Sequence, residues 1–251
     1  MATEKEVLIP SLGKLNQDQI PEGTIKVRNL TVAEEKLMVS NKLLPTEKIV
    51  TVVGKCLVEP QNFDINYLPI VDVIYALFEI RNITFKEPYE FQVKCGSCNN
   101  AFTHAVNVPD DLDVTFAEKE IEEPFEAKLP DAGNKLGLRY LRAGDQVDIE
   151  RQGRQRAIRS KGQDTEYAHI LQLSRRIVSL DEEKPSPAQV EKFVEGLSVT
   201  DAQHIREVTE ERDFGIDLNL LMECPICGTV HEEFLRPDAN FFRSRKSKRT
   251  G

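Results

Sequence analysis

The sequence predicts an α+β fold in which an N-terminal helical bundle and a long helical insertion are joined by a pair of β-hairpins. Three observations lead there. Apolar residues recur at helical spacing between about 31 and 81, and helical character returns over 139–212. Two short stretches alternate apolar and polar residues instead, one on each side of that insertion. Each is interrupted by a Cys-x-x-Cys turn, Cys95-Gly-Ser-Cys98 and Cys224-Pro-Ile-Cys227.

Residues 1–29 read as extended. Val7, Leu8 and Ile9 are stopped by Pro10, Pro21-Glu-Gly23 signals a turn, and Ile25-Lys-Val27-Arg alternates as a short strand does. Thr31-Val-Ala-Glu34 has the form of a capping box and opens the first helix, which Pro45 is expected to end. Thr46 can cap a second helix carrying Ile49, Val50, Val53 and Leu57 on one face. A third runs from about Tyr67 to Arg81. Four parts follow: 1–84, the extended segment and bundle; 85–138, the first cysteine hairpin and a β-rich segment; 139–212, the helical insertion; and 213–251, the second cysteine hairpin with a terminal Phe241-Phe242 pair and a basic tail. Within the insertion, Tyr167 to Ile177, Val190 to Leu197 and Asp201 to Arg212 read as helices, with Ser198 or Thr200 capping the last.

The two cysteine turns share one design. A strand enters, a tight turn aims two thiolates at one point, and a strand leaves. Zinc takes four ligands in a tetrahedron, and two such turns supply all four, so Cys95, Cys98, Cys224 and Cys227 are the expected ligands of one structural Zn2+ in a zinc-ribbon-like pair of hairpins. Gly228 follows the second pair and permits the positive φ that such a knuckle needs. About 125 residues separate the pairs, so a metal there would close a long loop. Four thiolates leave no open position, which argues for a structural rather than a catalytic ion. His104 and His231, soon after each pair, read as ordinary strand residues, with substitute ligand or hydrogen-bond donor to a sulfur as the other readings. Cys56 lies on the apolar face of the second helix and reads as a buried bystander.

Composition bounds the function. Of 251 residues, 42 are acidic and 33 basic, and the formal net charge of -9 argues against general nucleic-acid binding. Two segments run against that balance: 139–161, with Arg139, Arg142, Arg151, Arg154, Arg156, Arg159 and Lys161, and the tail 243–251, with five basic residues and no acidic one. Neither holds the aromatic residues expected of a base-stacking surface. No apolar run is long enough to cross a membrane, and Met1 to Lys5 reads as polar and mixed in charge, so no secretory signal is expected, which fits reduced cysteines that hold metal. No nucleotide-binding loop, HExxH or GxSxG motif is present. His169 and His204 stand on helices without a nucleophile partner, and Glu118, Glu120, Glu122 and Glu123 form a solvated acidic run. The chain is therefore expected not to be an enzyme.

The order of these features carries a resemblance. Val27-Arg-Asn-Leu-Thr-Val-Ala-Glu-Glu-Lys36, the helix around Lys55-Cys56-Leu57, the segment Asp72 to Arg81, the first Cys-x-x-Cys, then Cys-Pro-x-Cys-Gly and a closing Phe-Phe resemble the baseplate hub subunits and hub assembly proteins of T4-like tailed bacteriophages. The resemblance implies a late phage protein that acts in the host cytoplasm, binds other baseplate hub and tail proteins without performing chemistry, and possesses no catalytic residues. It also allows a place in the virion tail baseplate. The competing readings are a zinc-ribbon nucleic-acid-binding protein of transcription or replication, which requires 139–161 and 243–251 to form one patch, and a redox protein using one Cys-x-x-Cys.

Overall fold

The computed structural model describes residues 2–117, 121, 123–162, 167–210, 214–235, 237 and 241–242. The expected α+β class is what the chain adopts. The N-terminal extended segment supplies strands β1 (Glu4–Leu8) and β2 (Thr24–Arg28), paired antiparallel with Val7 opposite Ile25. Their buried residues point to one face, so Val7, Ile25 and Val27 enter the core while the charged residues between them face outward.

Helix α1 (Val32–Met38) begins at the predicted box: the Ala33 amide donates to Thr31 Oγ1 at 3.3 Å and the Thr31 amide to Glu34 Oε2 at 2.9 Å. Arg28 reaches across from β2 to the same carboxylate at 3.1 Å. That guanidinium, helped by the Thr31 bonds, pulls the Glu34 carboxyl down to about 2.

Pro45 has the opposite role from the one its sequence context suggests. It starts α2 (Pro45–Cys56) at the first helical position, where its missing N–H costs nothing. Thr46 does not cap that helix; its amide donates 2.9 Å to Glu150, 104 residues away. The helix also stops one residue earlier than its apolar spacing implies, because Leu57 turns into β3 (Leu57–Glu59), the third strand of the β1-β2-β3 sheet. Helix α3 (Ile70–Phe85) starts after Pro69 and crosses the centre of the first core, with Val73, Ala76, Leu77, Phe78 and Ile80 fully buried.

The first cysteine hairpin is β4 (Tyr89–Lys94) and β5 (Ala101–Val106). Beyond it, β6 (Val114–Thr115) pairs with a strand about 100 residues on, and β7 (Phe125–Lys128), β8 (Lys135–Leu138) and a later strand form a second three-stranded sheet. The basic stretch is α4 (Ala143–Arg159), followed by α5 (Tyr167–Ser174) and β9 (Ile177–Leu180). Ile177, read as the end of a helix, is thus the first residue of a strand whose register sets Leu136 opposite Leu180. Helices α6 (Pro187–Glu195) and α7 (Val199–Glu210) close the second core around Leu129, Leu136, Leu138 and Ile205. Ser198 Oγ accepts from the Asp201 amide at 3.0 Å, so of the two capping residues proposed it is Ser198 that serves.

The chain then returns to the first core. Strand β10 (Gly215–Ile216) pairs with β6 and lies so close to α3 that a Cβ on Gly215, at φ 141°, would stand 2.9 Å from Val71. The second cysteine hairpin, β11 (Asn219–Glu223) and β12 (Val230–Phe234), follows, and the Phe pair packs on its own chain. Phe241 and Phe242 are fully buried, with Phe241 5.0 Å from Phe78 and 4.9 Å from Tyr89, ring centre to ring centre. Arg81, itself buried, donates from Nε to the Phe241 carbonyl at 3.0 Å and from its terminal nitrogens to the carbonyls of Glu87 and Pro88.

Asp72 of α3 is wholly buried and anchors the loop after β1, accepting the Ser11 amide at 2.9 Å; its second oxygen has no partner among the described residues. Burial raises its pKa to about 7, against the favourable Ser11 bonds and the Arg142 charge. Between about pH 4 and 7 the unfolded chain loses a proton that the folded chain keeps, so stability falls as pH rises through that window. Asp72→Asn, which keeps the acceptor for Ser11, is expected to gain on the order of 3 kcal/mol over the wild type at pH 8 and little at pH 4.5. Paired thermal melts at the two pH values check this; equal shifts at both would contradict it.

Candidate metal centre

Each cysteine pair sits where a hairpin closes. In the first, Lys94 pairs with Ala101, the Cys95 amide donates to the Asn100 carbonyl and the Asn99 amide to the Cys95 carbonyl, both at 2.9 Å. In the second, Glu223 pairs with Val230, the Cys224 amide donates to the Thr229 carbonyl and the Gly228 amide to the Cys224 carbonyl, again at 2.9 Å. The turns are therefore equivalent residue by residue. Each places the residue after its second cysteine in the left-handed region: Gly228 at φ 71°, as expected, and Asn99 at φ 60°. Asn tolerates that conformation better than most residues, so Asn99 is a sequence signal for the first knuckle as Gly228 is for the second.

The two turns converge. The ligand atoms of Cys95, Cys98, Cys224 and Cys227 all lie within 4.8 Å of one another. Across the hairpins, Cys95 Sγ is 3.7 Å from Cys227 Sγ and Cys98 Sγ is 3.8 Å from Cys224 Sγ. Disulfide sulfurs are about 2.05 Å apart, so these are not bonded pairs, and all five cysteines are free thiols. A tetrahedral ion with metal–sulfur bonds of about 2.3 Å needs sulfurs about 3.8 Å apart. The four sulfurs could hold a metal ion with no coordination position left for another ligand.

The surroundings favour the thiolate at two of the four cysteines and oppose it at Cys95. Thr229, through its hydroxyl and its amide, draws the Cys227 thiol down to about 6. The Asn100 amide and side chain lower Cys98. At Cys95 the Cys98 amide also favours the anion, but burial and the adjacent Cys98 and Cys227 thiols outweigh it and the value stands at about 11. Like charges this close do not all ionise without a cation. A bound dication would remove that obstacle, and acid would then compete with it for the sulfurs.

The histidines separate. His231, half-buried on β12, places Nε2 3.1 Å from Cys95 Sγ, the distance of a hydrogen bond to sulfur. His104 is turned edge-on to Phe91, with ring centres 5.7 Å apart. Cys56 is buried in the first core, where burial pushes its thiol up to about 12, as a bystander's would be. His169 is exposed on α5 and His204 half-buried on α7.

Much of the basic stretch is engaged internally. Arg139 makes a two-pronged pair with Asp145, both bonds 2.7 Å, and Arg142 pairs with Glu123. Arg151 reaches Glu47 at 3.2 Å, and Arg156 lies 4.6 Å above the Tyr167 ring. Arg154, Arg159 and Lys161 face solvent. Glu123, expected in a solvated acidic run, is thus an ion-pair partner that also accepts the Tyr140 amide at 2.7 Å. Glu118, Glu120 and Glu122, and the tail 243–251, lie outside the described residues.

The fold and this junction define an α+β chain whose far-apart segments meet at a cysteine cluster able to hold a metal ion. The family described as T4 bacteriophage base plate protein matches residues 5–243, a span that includes all four cluster cysteines and the Phe pair. The chain belongs to that family. No curated protein and no solved structure matches it.

With one equivalent of a thiophilic divalent metal, the four cluster thiols are expected to become unreactive towards a thiol reagent, with Cys56 silent until the chain unfolds. Chelation should restore their reactivity and lower stability by up to about 5 kcal/mol, the scale for closing a loop of this length. A chelator that frees the thiols and leaves the melting temperature unchanged would show that the junction does not hold the fold.

Proposed function

We propose that this protein works in the baseplate hub of a T4-like phage tail, as a hub subunit or hub assembly protein, with one structural Zn2+ on Cys95, Cys98, Cys224 and Cys227 and no enzymatic activity. The observation that carries the reading is the convergence of two equivalent knuckles, 126 residues apart at Cys98 and Cys224, in a chain of the base plate family. A tetrahedron of four sulfurs suits zinc or iron. Zinc fits a purely structural task because it is redox-silent and has no geometric demand of its own. Such an ion would hold the ends of the segment between the hairpins at one point.

The partners of such a protein are other hub and tail proteins, met in the host cytoplasm during assembly and, for a subunit that stays, in the virion tail. Among the described residues no helix is long and apolar enough to cross a membrane. The nucleic-acid alternative gains no support from 139–161, where Arg139, Arg142 and Arg151 already pair with Asp145, Glu123 and Glu47.

Elemental analysis of protein expressed with zinc and iron both available is expected to find about one zinc per chain and no visible iron–thiolate absorption; iron in its place would refute the zinc assignment. The functional reading is tested by quantitative mass spectrometry of purified particles beside infected-cell lysate. A few copies per particle, in fixed ratio to tail proteins, identify a hub subunit. Abundance in lysate and tail intermediates with none in particles identifies an assembly factor. Absence from both particles and tail intermediates would overturn the reading.

A further inference from the structure

The two cysteine hairpins are close structural twins, yet their outward faces differ. On the first hairpin the exposed pairs are Glu90 opposite Ala105, Gln92 opposite Thr103 and Lys94 opposite Ala101, a small and polar surface of the kind that water covers. On the second, the corresponding face is Asn219 opposite Phe234, Leu221 opposite Glu232 and Glu223 opposite Val230, all exposed. Leu221 is 77% exposed, Val230 63% and Phe234 49%, and Ile226 in the adjoining knuckle is 59% exposed. The inward face already serves the core through Leu220 and Met222. Folding therefore has no use for large apolar groups on the outer face, and a soluble hairpin does better without them.

The charge on this hairpin has one sign. Between Phe214 and Leu235 the sequence has no Lys or Arg, while Asp217, Glu223, Glu232 and Glu233 are acidic. Glu223 and Glu232 stand on the apolar face itself. A nucleic acid or an anionic membrane surface would be repelled by them. A second copy docking face to face would set these carboxylates against their own kind.

We propose that the outer face of β11–β12 is a docking surface for a different baseplate protein, one presenting an apolar patch flanked by Lys or Arg. Leu221, Val230 and Phe234 supply the contact that excludes water, and Glu223 and Glu232 select the partner by charge. The knuckle closes the hairpin beside this face, with the Cys224 amide donating to the Thr229 carbonyl and the Gly228 amide to the Cys224 carbonyl. This inference rests on the reading of the chain as a baseplate component and names the chemistry of its partner.

The test is photocross-linking during infection, with p-benzoylphenylalanine replacing Val230 and, as the control, Thr103 on the twin hairpin. Position 230 is expected to cross-link one other tail protein, at a segment containing Lys or Arg, and position 103 is not. The double variant Glu223→Lys/Glu232→Lys, first shown to keep its metal content and melting temperature, should cut the yield by about ten-fold or more. Reversing the basic residues at the cross-linked segment of the partner should restore it. Cross-links to a second copy of this chain or to nucleic acid, equal yields from both hairpins, or a yield indifferent to charge reversal would each overturn the proposal. If the chain travels with tail intermediates while position 230 cross-links nothing, the docking face fails and the hub reading stands; if the chain is absent from tail intermediates, the hub reading itself fails.

Discussion

Arg81 is the point on which the closing of the chain depends. It is a buried cation whose described hydrogen-bond partners are three backbone carbonyls, those of Phe241, Glu87 and Pro88, and its guanidinium lies 5.2 to 5.5 Å from the rings of Phe85, Tyr89 and Phe241. Five donors in a fixed plane can bind several carbonyls at once while the faces attract the rings, which no ammonium could reproduce. Burial lowers its pKa, but a guanidinium stays charged, so these partners must satisfy it. They join α3, the approach to the first cysteine hairpin and the Phe pair, which is 160 residues from Arg81 in sequence.

The cysteine cluster lies on the same side of that logic. Arg81 and the Phe pair hold the returning chain against α3 and the approach to β4, and the knuckle of the second hairpin meets that of the first. The two closures support one another. The aromatic one is made of ordinary packing and needs nothing from outside. The other brings four thiols together, which is unfavourable for their anions until a cation shares the site.

The basic helix shows how far composition can mislead. Seven cations over 139–161 suggest an electrostatic surface, but three of them are paired with carboxylates from three different parts of the chain, Glu47, Glu123 and Asp145, and Arg156 stacks on a tyrosine. Such half-exposed pairs add modest stability each, yet together they orient α4 against α2 and the segment before β7. The charge of the helix serves mainly to place it. The outer face of β11–β12 is the contrary case, where a feature without internal use stands out against its twin.

The sequence by itself determined what is local. Capping residues at 31 and 34, alternation in the two hairpins, and the cysteine spacing each act through neighbours a few residues away, so the α1 start, β4, β5, β11 and β12, and the pairing of thiols within each turn were all legible. Where a local signal had two meanings, the wrong one was easily read. Pro45 both stops and starts helices, Leu57 fits a helical face and a strand equally, and β7–β9 hide in short alternations such as Phe125-Glu-Ala127-Lys and in Ile177, which continues a helical spacing. Only the tertiary structure decided that the two knuckles meet, that His231 and not His104 approaches a sulfur, that Arg81 and Phe241 find each other, and that Asp72 is buried. These depend on contacts between residues 60 to 160 positions apart, and no local periodicity encodes which distant surface a residue will face.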